Sequence, residues 1–345
     1  MQAAVIVLGA AIAAAGCQIQ RRPAPVGVGI LEVKEAARAT DRPALSPIAW
    51  SGDGQRFTYG TRDGVWVHVV GDGTGVRIAD GTVVTAVAWS ASADVIAYVD
   101  RGALWTVHPD GRNRRAIRLP GFLTAIAWAP GGDRLAAVVR GADGQDDQLM
   151  WTSPDGSIIR RIQWEPRGKR IVGLGWFPDT LHLFVALAPP GGDVTTEWWS
   201  VRIAYPDFVR VAGPARPALD PILSPSGQWV AFVAAEGNKQ RAFVVRTDGT
   251  GLHPLSPPGG RIGGLAWSRG SDKIAYGIIA GDTQAEVHMV GVTGAPSQLV
   301  ATYRVEFPEP AVVLSVAWAP DDLRLAYGTN TGSLSGPVWI ARFQR

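Results

Sequence analysis

The stretch VAWSASADVIAYV, Val87–Val99, reads as two short apolar strands joined by a polar turn, and it recurs along the chain. Its copies are IAWSGDGQRFTYG (Ile48–Gly60), IAWAPGGDRLAAV (Ile126–Val138), LGWFPDTLHLFVA (Leu174–Ala186), PILSPSGQWVAFV (Pro221–Val233), LAWSRGSDKIAYG (Leu265–Gly277) and VAWAPDDLRLAYG (Val316–Gly328). The anchors are Trp50, Trp89, Trp128, Trp176, Leu223, Trp267 and Trp318, spaced 39 to 51 residues apart. A period in the forties carried by paired strands is the mark of a β-propeller. The expectation is an all-β chain: seven blades, each a four-stranded antiparallel sheet.

Each repeat parses into four strands, A to D. In the second, strand A is VVTAVAWS, B is DVIAYVD, C is ALWTVHP and D is RAIRLPG, with DGRN as the C–D turn. Asp-Gly between alternating apolar runs favours a tight hairpin, because Gly readily takes positive φ. The recurring Trp ends strand A and is expected to pack between blades. The last repeat stops after PVWIARF without a strand D, while VGVGILEV, Val26–Val33, precedes the first repeat with no repeat of its own. That N-terminal segment is expected to complete the last blade and so remove an exposed sheet edge.

Composition adds bounds. The 345 residues are 46% hydrophobic and 18% charged, with 42 Gly and 25 Pro, which suits many tight turns. A formal charge of +3 makes no demand for nucleic acid. The sole cysteine, Cys17, rules out an intrachain disulfide and a cysteine-based metal site. It follows the 13-residue apolar stretch Ala3–Ala15 and Gly16, and precedes a polar QIQRRPAP. This arrangement resembles a bacterial lipoprotein signal peptide, with two departures: no Lys or Arg precedes the apolar stretch, and Ala14 stands where Leu is commoner. The resemblance implies lipidation at Cys17 and an extracytoplasmic protein held on the bacterial cell membrane or outer membrane. The organisation expected is a signal peptide over 1–16, a tether and ring-closing strand over 17–44, and the propeller over 45–345.

The SPSG and APDD turns, and ILSPSGQWVAF (Ile222–Phe232) above all, resemble the PD-type, WD-like repeat of TolB-like propellers. The resemblance covers residues 45–345 and implies the propeller alone, since the stretch between Cys17 and Leu45 has no room for the α/β domain that precedes the TolB propeller. Nor does the chain carry the G-x-S-x-G elbow of prolyl-oligopeptidase-like enzymes.

Candidate chemistry is sparse. His68, His108 and His288 fall on predicted C strands, and none of the five histidines has metal-ligand spacing. Asp143, Asp146 and Asp147 offer oxygens of the kind Ca²⁺ prefers but lack the loop register, so they read as a solvated B–C loop. Two basic clusters, Arg112, Arg114, Arg115 and Arg118, then Arg160, Arg161, Arg167, Lys169 and Arg170, occupy corresponding outer hairpins of adjacent blades. They form a candidate positive edge for lipid headgroups or an acidic partner. Trp198 and Trp199 are adjacent on one strand, so they face opposite ways and one is a candidate for binding, the other reading being packing in the core or at a blade edge. The inner strands supply small apolar residues, Ser and Trp with few titratable groups, which favours binding over turnover. The expectation is a monomeric, membrane-anchored module that binds a protein, peptide or glycan, with no cofactor, metal or catalytic residue assigned. The alternative is a lyase, lactonase or cyclase with its active site at the channel mouth.

Overall fold

A computed structural model describes residues 31–344, except 41, 43, 142–146, 165, 167, 193, 196, 206, 214–216, 280–283, 295, 305–310 and 332–333. The described residues form seven four-stranded antiparallel sheets and no helix. Blades are numbered 1 to 7 in chain order. Blade 2 shows the plan: Val84–Trp89, Ile96–Asp100, Ala103–Val107 and Arg115–Ile117 run from the channel outward as strands A to D. Each B strand lies between two neighbouring blades and is covered on both faces, so it reads as a continuous apolar run rather than an alternating one. Ile96, Ala97 and Tyr98 have no exposed surface, and Leu135, Ala136, Ala137, Val138 and Val139 repeat this in blade 3. The core is therefore a series of clusters, each shared between adjacent blades.

The anchor tryptophans stitch the ring. The Nε1 of Trp50, Trp128, Trp176 and Trp267 donates to the carbonyls of Ala317, Ala88, Ala127 and Ile222, at 2.9, 3.1, 2.9 and 3.1 Å. Every acceptor is the residue just before the anchor of the preceding blade. Trp89 turns instead to Asp94 Oδ1 of its own A–B turn, at 3.0 Å. Six of those turns place a left-handed residue four positions after the anchor, at Gly54, Gly132, Thr180, Gly227, Ser271 and Asp322, and blade 2 places it one later, at Asp94. They also touch across blades: Asp322 accepts from the Arg269 and Gly270 amides at 2.7 and 2.9 Å.

Blade 7 consists of Ala311–Trp318, Arg324–Thr331, Leu334–Gln344 and, as strand D, Glu32–Thr40. An N-terminal strand thus closes the last blade, but it lies further along than Val26–Val33. It shares only Glu32 and Val33 with that segment; residues 26–30 lie outside the described ones. Its register runs from Glu32 opposite Gln344 to Thr40 opposite Val338. An outer strand packs on one side only, so the polar EVKEAARAT serves there, and six of its nine residues are exposed. At the strand end, Thr40 Oγ1 meets Tyr59 Oη of blade 1 at 3.1 Å, and Tyr59 Oη meets His68 Nε2 at 2.9 Å. This buried chain of polar groups locks the closing strand to the first blade.

Candidate functional site

The A strands carry a register shift near their start in blades 2 to 7, which turns the chain outward at one mouth of the channel. At that mouth blades 3 to 6 enclose a cavity of about 660 Å³. Its polar lining comes from Thr124, Arg140, Asp220, Gln240 and Arg261.

Two of these groups are braced from behind. Asp147, 3% exposed, accepts from Arg140 Nε at 3.0 Å and from the Ile171 amide of blade 4 at 2.8 Å. Gln240 Oε1 likewise accepts from the Ile262 amide of blade 6 at 2.7 Å. Each side chain joins the start of a C strand to the inner strand of the next blade. A guanidinium carries five N–H donors and an amide two, so both residues keep donors for a ligand. Arg261 has no side-chain partner among the described residues. Asp220 sits in the shifted stretch of blade 5 with φ +47°, a left-handed conformation that costs a non-glycine residue about 1 kcal/mol or more. It is the sole carboxylate in the described lining, against two guanidiniums. The mouth is positive, and an anionic group fits it.

None of these five residues stands out in the sequence, because they come from three repeats and from different places in them: two A strands, a B strand, a C strand and the residue before an A strand. The available signal was the start of each A strand, where Arg261 precedes IGGLAW.

The sequence-derived candidates lie elsewhere. Arg112 is exposed in a C–D turn beside Asp110. Arg114 donates to Tyr98 Oη at 2.7 Å and to the Asp80 carbonyl at 2.9 Å, and stacks over Trp105, so it braces blade 2 against blade 1. Arg115, Arg160 and Arg161 are exposed on the outer strands of blades 2 and 3. Trp198 is fully buried against Phe184 and Phe232 and has no surface to offer a partner. Trp199 is half-buried and points to the other face. Cys17, Asp143 and Asp146 lie outside the described residues. Asp147 is a structural brace, already engaged by Arg140 and a backbone amide.

All five histidines have partners. Burial, together with the nearby Arg42, pushes the His68 imidazole down to about 4, and burial raises the Tyr59 phenol to about 12. His288 bonds Glu286 at 2.8 Å, His182 bonds Asp179 at 2.6 Å, and His108 bonds Asp110 at 2.7 Å. His253 bridges the carbonyls of Gly251 and Val292. Among the described residues no group of three or more His, Cys, Asp or Glu is placed to hold a metal ion.

No protein-family model matches the chain, and no curated protein matches it in sequence. Solved structures do resemble it. An oligogalacturonate lyase in complex with manganese is 11% identical with a TM-score of 0.69, covering 91% of this chain and 96% of its own. An oligogalacturonate lyase from Vibrio parahaemolyticus is 10% identical with a TM-score of 0.69, covering 89% and 93%. TolB from Acinetobacter baumannii is 13% identical with a TM-score of 0.55, covering 74% of this chain and 65% of its own. At these identities the likeness shows the fold alone.

Proposed function

We propose that this protein is a lipid-anchored extracytoplasmic propeller that binds an acidic glycan at its channel mouth without turning it over. The observation that carries the reading is that Arg261, without a side-chain partner among the described residues, lines the same cavity as the braced Arg140, with Asp220 as the sole carboxylate in the described lining. Bidentate guanidinium–carboxylate pairing is the strong, directional way to hold a uronate. Binding is preferred over chemistry because no histidine and no pair of carboxylates converges in the described lining. Anchoring rests on the apolar Ala3–Ala15 stretch and the position of Cys17.

Two similar structures are oligogalacturonate lyases, so oligogalacturonate is the first probe. Calorimetric titration of the full chain should show binding that weakens with salt and falls about tenfold or more in Arg261→Gln. Equal affinity in the variant, or preference for oligoglutamate over oligogalacturonate, refutes the glycan reading. Release of unsaturated sugar, read by ultraviolet absorbance, places the protein among the enzymes instead. Mass spectrometry of the cell's own protein tests the anchor: the expected N-terminus is a diacylglyceryl Cys17, and an intact Met1 or a soluble form cleaved elsewhere refutes it.

A further inference from the structure

Blade 4 carries a second cavity, of about 490 Å³, walled by Trp164, Lys169, Glu197, Trp199 and Phe208 with Gln163 beside them. It lies where the segment leading out of blade 3 passes over the outer strands Glu197–Arg202 and Phe208–Val211. Its residues are distinct from those of the channel mouth.

Trp199 lies opposite Val185, the ninth residue after the anchor Trp176. Trp66, Trp105 and Phe243 hold the same place in blades 1, 2 and 5, opposite Tyr59, Tyr98 and Phe232. Each of those three rings has a guanidinium over it: Arg42 at 3.6 Å, Arg114 at 4.4 Å and Arg241 at 5.9 Å. Trp199 has none among the described residues. Those three counterparts are capped by the protein itself, whereas the Trp199 ring borders open space.

The ring is also held in place before any ligand arrives. Its Nε1 donates to Glu197 Oε2 at 3.2 Å, and it packs against Phe208 and Trp164 at centroid distances of 6.2 and 6.4 Å. Such prior ordering lowers the entropic cost of binding. Glu197 is ion-paired with Lys169. That hydrogen bond, and then the Trp199 N–H, holds its carboxyl below the usual carboxylate range.

We infer that this cleft is a binding site for a neutral sugar ring. Lys169 opposes a cation and Glu197 opposes an anion, so the ligand that satisfies both walls is uncharged. Lys169 only donates hydrogen bonds, ionised Glu197 only accepts them, and Gln163 does both, which is the complement of a rim of hydroxyls. The apolar C–H face of a pyranose lies on the indole and on Phe208, itself 43% exposed. The volume falls in the ordinary range of small-molecule sites.

The test is titration of the full chain with cellopentaose, laminaripentaose, maltopentaose and chitopentaose, followed by tryptophan fluorescence and calorimetry. At least one should bind, and affinity should fall about tenfold or more in Trp199→Ala and about threefold or more in Phe208→Ala. The exposed Phe208 variant decides the matter if Trp199→Ala does not fold. Arg261→Gln should leave this binding unchanged, which separates it from the channel-mouth reading. Three results overturn the inference: no binding by any of the four, binding indifferent to both aromatic substitutions, or quenching by tetramethylammonium in place of the sugars.

Discussion

Acidification should unlock the ring at His68. Its imidazole is 2% exposed, packed near-parallel against both Phe57 and Tyr59, and bonded through Nε2 to Tyr59 Oη. Nδ1 has no partner among the described residues, so the imidazolium would bury an unpaired N–H as well as a charge. The folded pKa falls from 6.5 to about 4, mainly through desolvation. Because the folded value lies below the unfolded one, the neutral ring's contribution is complete above pH 6.5 and is lost as pH falls toward 4. With these two values, linkage gives a loss of about 2.5 kcal/mol between pH 7.5 and pH 4.5. Urea denaturation of the wild type and His68→Gln across that range reads it directly. Carboxylates with lowered pKa values also cost stability in acid, but they titrate alike in both proteins and cancel in the difference. The wild type should lose about 2.5 kcal/mol more than the variant. Parallel stability profiles would refute the argument, whatever the absolute stabilities.

Three further outcomes follow from the same structure. Deleting residues 32–40 removes strand D of blade 7 and the Thr40–Tyr59 bond, so calorimetry should show Tm lower by about 10 °C or more, with association through the opened edge; an unchanged monomer would show that the ring does not need this strand. Thr180 is a β-branched residue at φ +58°, where blades 1, 3 and 5 have glycine, so Thr180→Gly should stabilise by about 1 kcal/mol in urea; a loss of stability counts against strain at that turn. Asp147→Asn leaves Arg140 without its anionic partner and weakens the acceptor for the Ile171 amide, so it should cost about 3 kcal/mol and loosen the channel mouth; a cost near zero would mean that Asp147 is not a brace.

The repeat itself determined the architecture. A Trp, a polar turn and an apolar run at a regular period specify an inner pair of strands, and seven copies specify seven blades. The bond from a Trp N–H to the carbonyl before the preceding anchor is that same register expressed between blades. Strand alternation likewise placed Trp198 and Trp199 on opposite faces, because successive side chains on a strand must point opposite ways. What local sequence did not show is where one-sided contacts decide. EVKEAARAT has the composition of a helix, and it is a strand because Leu334–Gln344 offers it an unsatisfied edge. Which of the two tryptophans remains open depends on tertiary packing: Trp198 is closed by Phe184 and Phe232, the latter from the next blade, while Trp199 borders a cavity. Arg140 and Arg261 are 121 positions apart in the chain and meet only because the blades curve around one channel. Periodicity is a property of neighbours along the chain, whereas a mouth assembled from blades 3 to 6 exists only once the ring has formed.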